Sequence, residues 1–203
     1  MTDVPKLTLS AEELQLVTNT QWILTKRVII DKVNLLFGNL SVVFKNHVTT
    51  NDFFLQPAIV QSTPKIAKGE NYLQLPYVLL DYPRCFNKEN IFTIRTMFWW
   101  GNFFSITLHL SGRYKDTFET AVKKNIQTSA EHDFFICINE DEWQHHFKED
   151  NYMPVNKLTF DEINTITQRH FIKVAIKFPL ENWDTIPSLL EKSFPDLLQL
   201  IRN

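Results

Sequence analysis

Apolar residues recur at helical spacing in the first quarter of the chain and predict a short helix followed by a long one. Ser10 and Glu13 have the spacing of a capping box, so the short helix is predicted over residues 11–18. The long helix is predicted over about residues 20–45, because its apolar residues follow the 3.6-residue period. Its inner face would consist of Trp22, Ile29, Ile30, Val33, Leu36, Phe37, Leu40, Val43 and Phe44.

The same helix carries a second apolar stripe on its far side, formed by Leu24, Val28, Leu35 and Val42. A helix that is apolar on two sides is either enclosed by its own domain or in contact with another subunit. We predict that protein covers this stripe. If the domain alone does not, we expect a homodimer through the long N-terminal helix to do so.

Two β-rich runs between Ile91 and Ser111 flank Gly101-Asn102 and predict a hairpin with a two-residue type II′ turn. This register places Phe92, Ile94, Thr96, Phe98, Trp100, Phe103, Ser105, Thr107 and His109 on one face. It places Ile91, Arg95, Met97, Trp99, Phe104, Ile106, Leu108 and Leu110 on the other. Because both faces are rich in large apolar groups, both are predicted to be covered.

The remaining patterns complete an α+β prediction. Residues 47–68 contain two prolines and no clean period, which indicates loop with short turns. Further strands are predicted over residues 75–81, 134–138 and 171–178, the last with one wet face and therefore at an edge or an open face. We expect one antiparallel sheet of about five strands with a central hairpin and helices packed around it. The chain is predicted to be a single domain, 1–203, with a helical N-terminal segment, 1–46.

A set of residues between 69 and 126 carries a family resemblance. The set comprises Gly69 with Tyr72, Leu75-Pro76, the aromatic–glycine turn at Trp100-Gly101, and Phe118, Ala121, Lys124 and Asn125 in the following helix. In these features the chain resembles an uncharacterised bacterial family typified by the YktB proteins. The resemblance implies an aromatic-rich antiparallel sheet followed by a helix, and it implies no active-site residue.

Composition narrows the class of protein. The chain has 203 residues, of which 44% are hydrophobic and 22% charged, and this excludes a disordered protein. Residues 1–6 lack the basic region and apolar core of a secretory signal, and the apolar stretch 97–110 is too short and too polar to cross a bilayer. The two cysteines, Cys85 and Cys137, form no CxxC pair, as is typical of the reducing cytoplasm. We therefore expect a cytoplasmic protein without a membrane partner.

Charge and glycine content exclude further classes. The net charge is −2 with no basic run, so we expect no nucleic-acid partner. The four glycines are too scattered to form a GxGxxG or Walker loop, and GxSxG and HExxH are absent. No cofactor is expected.

One cluster could suit a metal. Glu142 and His145 share a helical face, His146 is adjacent, and residues 131–133 could add ligands. A solvated acidic turn with surface histidines explains the same residues, so no metal is predicted. The two cysteines are interpreted as structural.

If the chain has a small-molecule ligand, its predicted site is the hairpin face with Thr96, Ser105, Thr107 and His109, whose polar groups are costly to bury without partners. Arg95, the odd residue on an otherwise apolar face, would either pair with a structural carboxylate such as Asp81 or bind an acidic ligand, and the first is favoured.

These observations favour a noncatalytic binding or interaction module that uses either the hairpin face or the two-sided helix. The alternatives are a small-molecule enzyme with a pocket over the hairpin face near His109 and a metal-dependent hydrolase at Glu142.

Overall fold

The computed structural model describes residues 7–51, 55–128 and 133–202. Within these residues the helices are α1 Ala11–Thr18, α2 Thr20–Asn51, α3 Pro57–Val60, α4 Arg113–Thr128, α5 Phe160–Thr167 and α6 Ile186–Gln199. The strands are β1 Lys65–Tyr72, β2 Leu75–Phe86, β3 Ile91–Trp99, β4 Phe103–Ser111, β5 Phe135–Cys137, β6 Tyr152–Pro154 and β7 Phe171–Pro179.

The strands form one antiparallel sheet in the order β1-β2-β3-β4-β7-β5-β6. The predicted α+β class, antiparallel sheet and long N-terminal helix are confirmed, but the sheet has seven strands and not about five. The strand β1 was missed because it is a polar edge strand with mostly exposed side chains, of the kind that lysines protect from further pairing. The strand β6 has only three residues, too few for a pattern.

Helices cover one face of the sheet. The strands β2, β3, β4 and β7 turn their aliphatic and aromatic side chains toward α2, α4, α5 and α6, and a continuous core results. The helix α2 contributes Val33, Phe37, Leu40, Phe44 and Val48 to this core, each no more than 1% exposed. The prediction that Trp22 and Val43 belong to this inner face is wrong, because they are 45% and 39% exposed. The rings of Phe44 and Phe194 stack at 4.0 Å and join α2 to α6.

An irregular segment, residues 139–151, covers part of the other face of the sheet. We call this segment the cap. It connects β5 to β6, and its Phe147 packs against an apolar cluster that includes Met97, Trp99 and Phe103. Nearly every side chain of β3 and β4 is buried, so the prediction that both hairpin faces are covered is confirmed.

The predicted hairpin register is wrong by one residue. Trp99 pairs with Phe103, so the loop has three residues and not two. Gly101 occupies the left-handed region at φ 66°, at the third position of a turn that the Asn102 amide closes on the Trp99 carbonyl, as the glycine of a type II turn does. Because side chains alternate across a strand, a shift of one residue places each β3 residue and its predicted partner on β4 on opposite faces of the sheet. Arg95 pairs with Thr107, and Thr96 pairs with Ile106.

Two other strand predictions are corrected. The strand β2 does not turn after Asp81 but continues to Phe86 through a cis Tyr82-Pro83 bond and a register shift. The strand β7 is neither an edge nor an open face, because it lies between β4 and β5. Lys173, whose charge suggested a solvent-exposed face for this strand, is only 1% exposed.

The domain leaves the far stripe of α2 uncovered. Leu24, Val28, Leu35 and Val42 are between 51% and 66% exposed. No helix among the described residues combines the length and apolar character that a membrane crossing requires.

The turn between β1 and β2 offers a stability test. Leu73 and Gln74 both have positive φ, 49° and 68°, and Tyr72 pairs with Leu75, as in a type I′ turn. Residues other than glycine, and to a lesser degree asparagine, are strained in this region by about 1–2 kcal/mol each. Replacing Leu73-Gln74 by Asn-Gly should therefore raise the free energy of unfolding in urea by about 1–2 kcal/mol.

The opposite substitution serves as the control. A Cβ added at Gly101 meets nothing within 4 Å, so Gly101→Ala changes only the backbone strain. It should lower the free energy of unfolding by about 1 kcal/mol. Equal effects of the two changes would contradict the turn conformation.

Candidate functional site

Four of the five predicted ligand residues share the capped face of the sheet. They are Arg95, Ser105, Thr107 and His109, each on β3 or β4 and side by side in the register. Ser105 is buried between Met97 and Lys177 of the neighbouring strands. Arg95 was predicted on the opposite face, and the shifted register brings it beside Thr107.

Thr96 does not belong to this group. The prediction that it shares a face with His109 is wrong, because the three-residue loop turns Thr96 toward the helices, level with Leu80 and Ile106. It is completely buried, and its hydroxyl has no hydrogen-bond partner within the described part of the chain.

Lys173, in the middle of β7, connects the sheet to the cap. Its Nζ donates to the backbone carbonyls of Glu142 at 2.9 Å and Gln144 at 2.6 Å, and it lies over the ring of Tyr152. Burial lowers the pKa of Lys173 to about 8. An ammonium group this deeply buried requires acceptors, and the cap supplies them with its main chain.

His109 is paired with a carboxylate of the cap. Its Nε2 lies 2.8 Å from Oε2 of Glu142, and the ring of Trp143 approaches it edge-on. Burial lowers the pKa of His109 to about 4, whereas the hydrogen bond from His109 lowers the pKa of Glu142. Because an ionised carboxylate can only accept, the neutral imidazole donates from Nε2.

The favoured partner of Arg95 is confirmed. Its guanidinium forms a two-point contact with Asp81, at 2.7 Å from Nε and 2.9 Å from Nη2. Its Nη1 lies 3.4 Å from Nε2 of His145 in the cap. Burial, with Lys173 and Arg95 nearby, holds the pKa of His145 well below its usual range, so this imidazole is neutral and accepts from Arg95.

Two tyrosines complete the attachment of the cap. The hydroxyl of Tyr72 accepts from the backbone amides of His145 at 2.6 Å and His146 at 3.0 Å. Tyr152 is fully buried, stacks on Phe147 at 4.5 Å, and its phenol is hydrogen-bonded to Thr107. Burial raises the pKa of Tyr152 well above its usual value.

Partners within the chain thus engage the ionisable groups of this face. A ligand that reached His109 would have to displace Glu142 or Trp143. Ligand binding by these residues stays a prediction. Sequence reasoning missed Lys173 as an organising residue, although a lysine flanked by apolar residues within a strand was the available signal.

The residues considered for a metal are separated by other contacts. Glu142 binds His109, His145 lies beside Arg95, and His146 is 3.8 Å from Asp150. In the ranges 7–51, 55–128 and 133–202 no three metal-ligating side chains form a group. Residues 131 and 132 lie outside the described residues.

Both cysteines are free and face local acceptors. The Sγ of Cys137 lies 3.4 Å from Asn151, and burial raises the pKa of this thiol. The Sγ of Cys85 lies 3.3 Å from the carbonyl of Ala58.

A second candidate surface lies at the N-terminus. We call residues 7–28 the arm. The helix α1 has a complete capping box from Ser10 and Glu13 but contains no buried residue. Twelve of the eighteen exposed large hydrophobic residues in the described part of the chain lie between Leu7 and Val43. An apolar surface of this extent on one segment of the chain is typical of an interaction site.

A pair of threonine substitutions tests the two faces. Thr96→Val removes an unpartnered buried hydroxyl and should raise the free energy of unfolding by about 1 kcal/mol. Thr107→Val removes the hydrogen bond to Tyr152 and should lower the free energy of unfolding by about 1 kcal/mol. Urea denaturation of both variants checks the assignment, and destabilisation by Thr96→Val would contradict it.

The buried histidine predicts a pH dependence of stability. The pKa of His109 is about 4 in the folded chain and about 6.5 when unfolded, so the unfolded state binds more protons between these values. The contribution of His109 to the free energy of unfolding is complete above about pH 6.5. This contribution is about 2 kcal/mol smaller at about pH 5 and is lost toward pH 4.

Urea denaturation of wild-type and His109→Gln chains across this range measures the effect. His145 acts in the same direction in both chains, so the difference between them reports His109. Identical pH profiles would show that His109 titrates normally in the folded state.

Comparison of the chain with protein-family models, curated proteins and solved structures finds no match. The resemblance to the YktB-like family stays a prediction.

Proposed function

We propose that this chain is a noncatalytic interaction module that binds a protein through its N-terminal helices. The observation that carries the proposal is α1, which is capped at its N-terminus yet buries none of its residues. A short isolated helix in water is only marginally stable. Contact with a partner would supply the packing that the domain does not provide.

The exposed side chains of the arm support this function. Leu14 and Val17 are three residues apart on α1, and Trp22 and Leu24 follow near the start of α2. All four are at least 45% exposed. The three-residue spacing of Leu14 and Val17 is one at which an amphipathic helix presents apolar anchors to another protein.

The capped face supports a noncatalytic role. Arg95 is neutralised by Asp81, and His109 is held by Glu142. The ammonium of Lys173 is engaged by two carbonyls. A catalytic group must reach its substrate, and these side chains reach one another. The free cysteines fit a module of the cytoplasm.

Site-specific photo-crosslinking tests the proposal. A benzophenone amino acid at position 14 of the full chain should form a discrete adduct with a protein in an extract of the source cells. The same probe at Phe160, an exposed aromatic on α5, should form none and serves as the matched control.

A competition experiment shows whether the adduct at position 14 is specific. Excess wild-type chain should suppress the adduct, whereas excess chain with Leu14→Glu and Val17→Glu should not. No adduct at position 14, or equal adducts at both positions, would refute an interaction surface on the arm.

A further inference from the structure

We infer that a second copy of this chain packs against the outer face of α2, antiparallel about a two-fold axis at Leu35. The outer face is formed by Leu24, Val28, Leu35 and Val42, and it lies directly opposite the residues that α2 buries in the core. This inference rests on the proposed interaction function and extends it along α2, with a second copy of the chain as an additional partner.

The spacing of the outer face makes it self-complementary. Val28 and Val42 each lie seven residues from Leu35. In an antiparallel pair centred on Leu35, Val28 of one copy faces Val42 of the other, and the two Leu35 side chains meet. A two-fold interface requires such matching of a surface with itself. The seven-residue spacing also keeps the apolar side chains in one seam between two helices.

Length supports the same arrangement. The helix has 32 residues and is about 48 Å long, so the seam extends beyond its apolar centre at both ends. Gln21 and Thr49, seven residues beyond the two valines, would face each other there. The seam therefore ends in polar residues, and Asp31 and Asn39, four residues to either side of Leu35, flank its three apolar positions.

A groove beside Leu35 adds charge complementarity. The helices α2 and α6 enclose a cavity of about 340 Å³, lined by Lys32 and Asn39 of α2 and by Glu191 of α6. Neither Lys32 nor Glu191 makes an ion pair with any residue that the structure describes. The two-fold axis puts the grooves of both copies on the same side of the seam, so Lys32 of one copy approaches Asn39 and Glu191 of the other. The two-fold axis generates this ion pair twice.

Gly38 leaves room for the contact. A Cβ built at this residue meets nothing within 4 Å, so the domain gives no packing reason for a glycine in the middle of α2. Such a glycine lowers helix stability by about 0.5–1 kcal/mol relative to alanine. In the antiparallel pair this open position lies beside the seam and lets the two helices approach closely.

Light scattering on the full chain tests the dimer. Wild-type protein should elute with twice the chain mass of 24.0 kDa. Leu35→Glu places a charge at the centre of the seam and should give a monomer. Phe160→Glu removes an equally exposed apolar side chain elsewhere and should leave the dimer intact.

Charge reversal tests the ion pair. Lys32→Glu or Glu191→Lys alone should weaken dimerisation by about tenfold, because each change affects two equivalent pairs. The double variant should restore the wild-type affinity. Failure of this restoration would overturn the proposed register.

Cysteine substitution tests the direction of the helices. A mixture of Val28→Cys and Val42→Cys chains should form a disulfide-linked dimer under mild oxidation. Val28→Cys alone should not, since antiparallel packing separates its two copies by about 21 Å along the helix. A crosslink by Val28→Cys alone would indicate a parallel pair and overturn the inference. The wild-type chain controls for Cys85 and Cys137.

The outcomes separate this inference from the proposed function. A monomeric wild-type chain that still forms the arm adduct with another protein overturns the dimer and leaves the interaction function. A monomer without an arm adduct overturns both. A dimer that Leu35→Glu does not disrupt overturns the two-fold seam alone.

Discussion

Burial of one ammonium group determines how the second face of the sheet is covered. Lys173 lies in a strand with neighbours on both sides and is almost completely inaccessible to water. A charge in that position is tolerated only where oxygen atoms replace its hydration. Two carbonyls of the cap do so, and they hold the cap in place. With the cap fixed, Glu142 reaches His109 and His145 reaches Arg95, so one requirement organises the polar contacts of this face.

The two faces of the sheet are stabilised by different physical interactions. The helical face is held by dense packing of apolar side chains, which the continuous core from α2 to α6 provides. The capped face is held by directional contacts between charged and polar groups, to which Tyr72 and Tyr152 add hydrogen bonds. Neither arrangement uses the arm or the outer face of α2. The exposed apolar side of the N-terminal helices is therefore not needed to cover either face of the sheet.

The sequence predicted the elements with strong periodicity and failed where geometry depends on one residue or on distant partners. The start of α2, its far stripe and most of its buried face followed from spacing alone, although Trp22 and Val43, predicted for the buried face, are exposed. The Asp81 partner of Arg95 followed from the cost of a buried charge. The hairpin register depended on whether Gly101 takes the first or the middle position of its loop, which local sequence leaves open. That single choice misplaced Thr96 and Arg95. The role of Lys173 required knowledge of the cap, whose contacts are formed across about thirty residues of sequence.

Asn19 is a single-residue joint between α1 and α2. Its backbone dihedral angles are not helical. Its backbone amide donates to the carbonyl of Leu16 in the last turn of α1, and its side-chain Oδ1 accepts from the backbone amide of Trp22 in the first turn of α2. Because α1 has no contact in the core, the angle between the two helices depends on the dihedral angles of this residue alone. All eight residues of α1 lie outside the core, so a change in the direction of this helix would leave the core packing intact. Contact with a partner, as proposed above, would therefore fix the direction of α1 relative to α2.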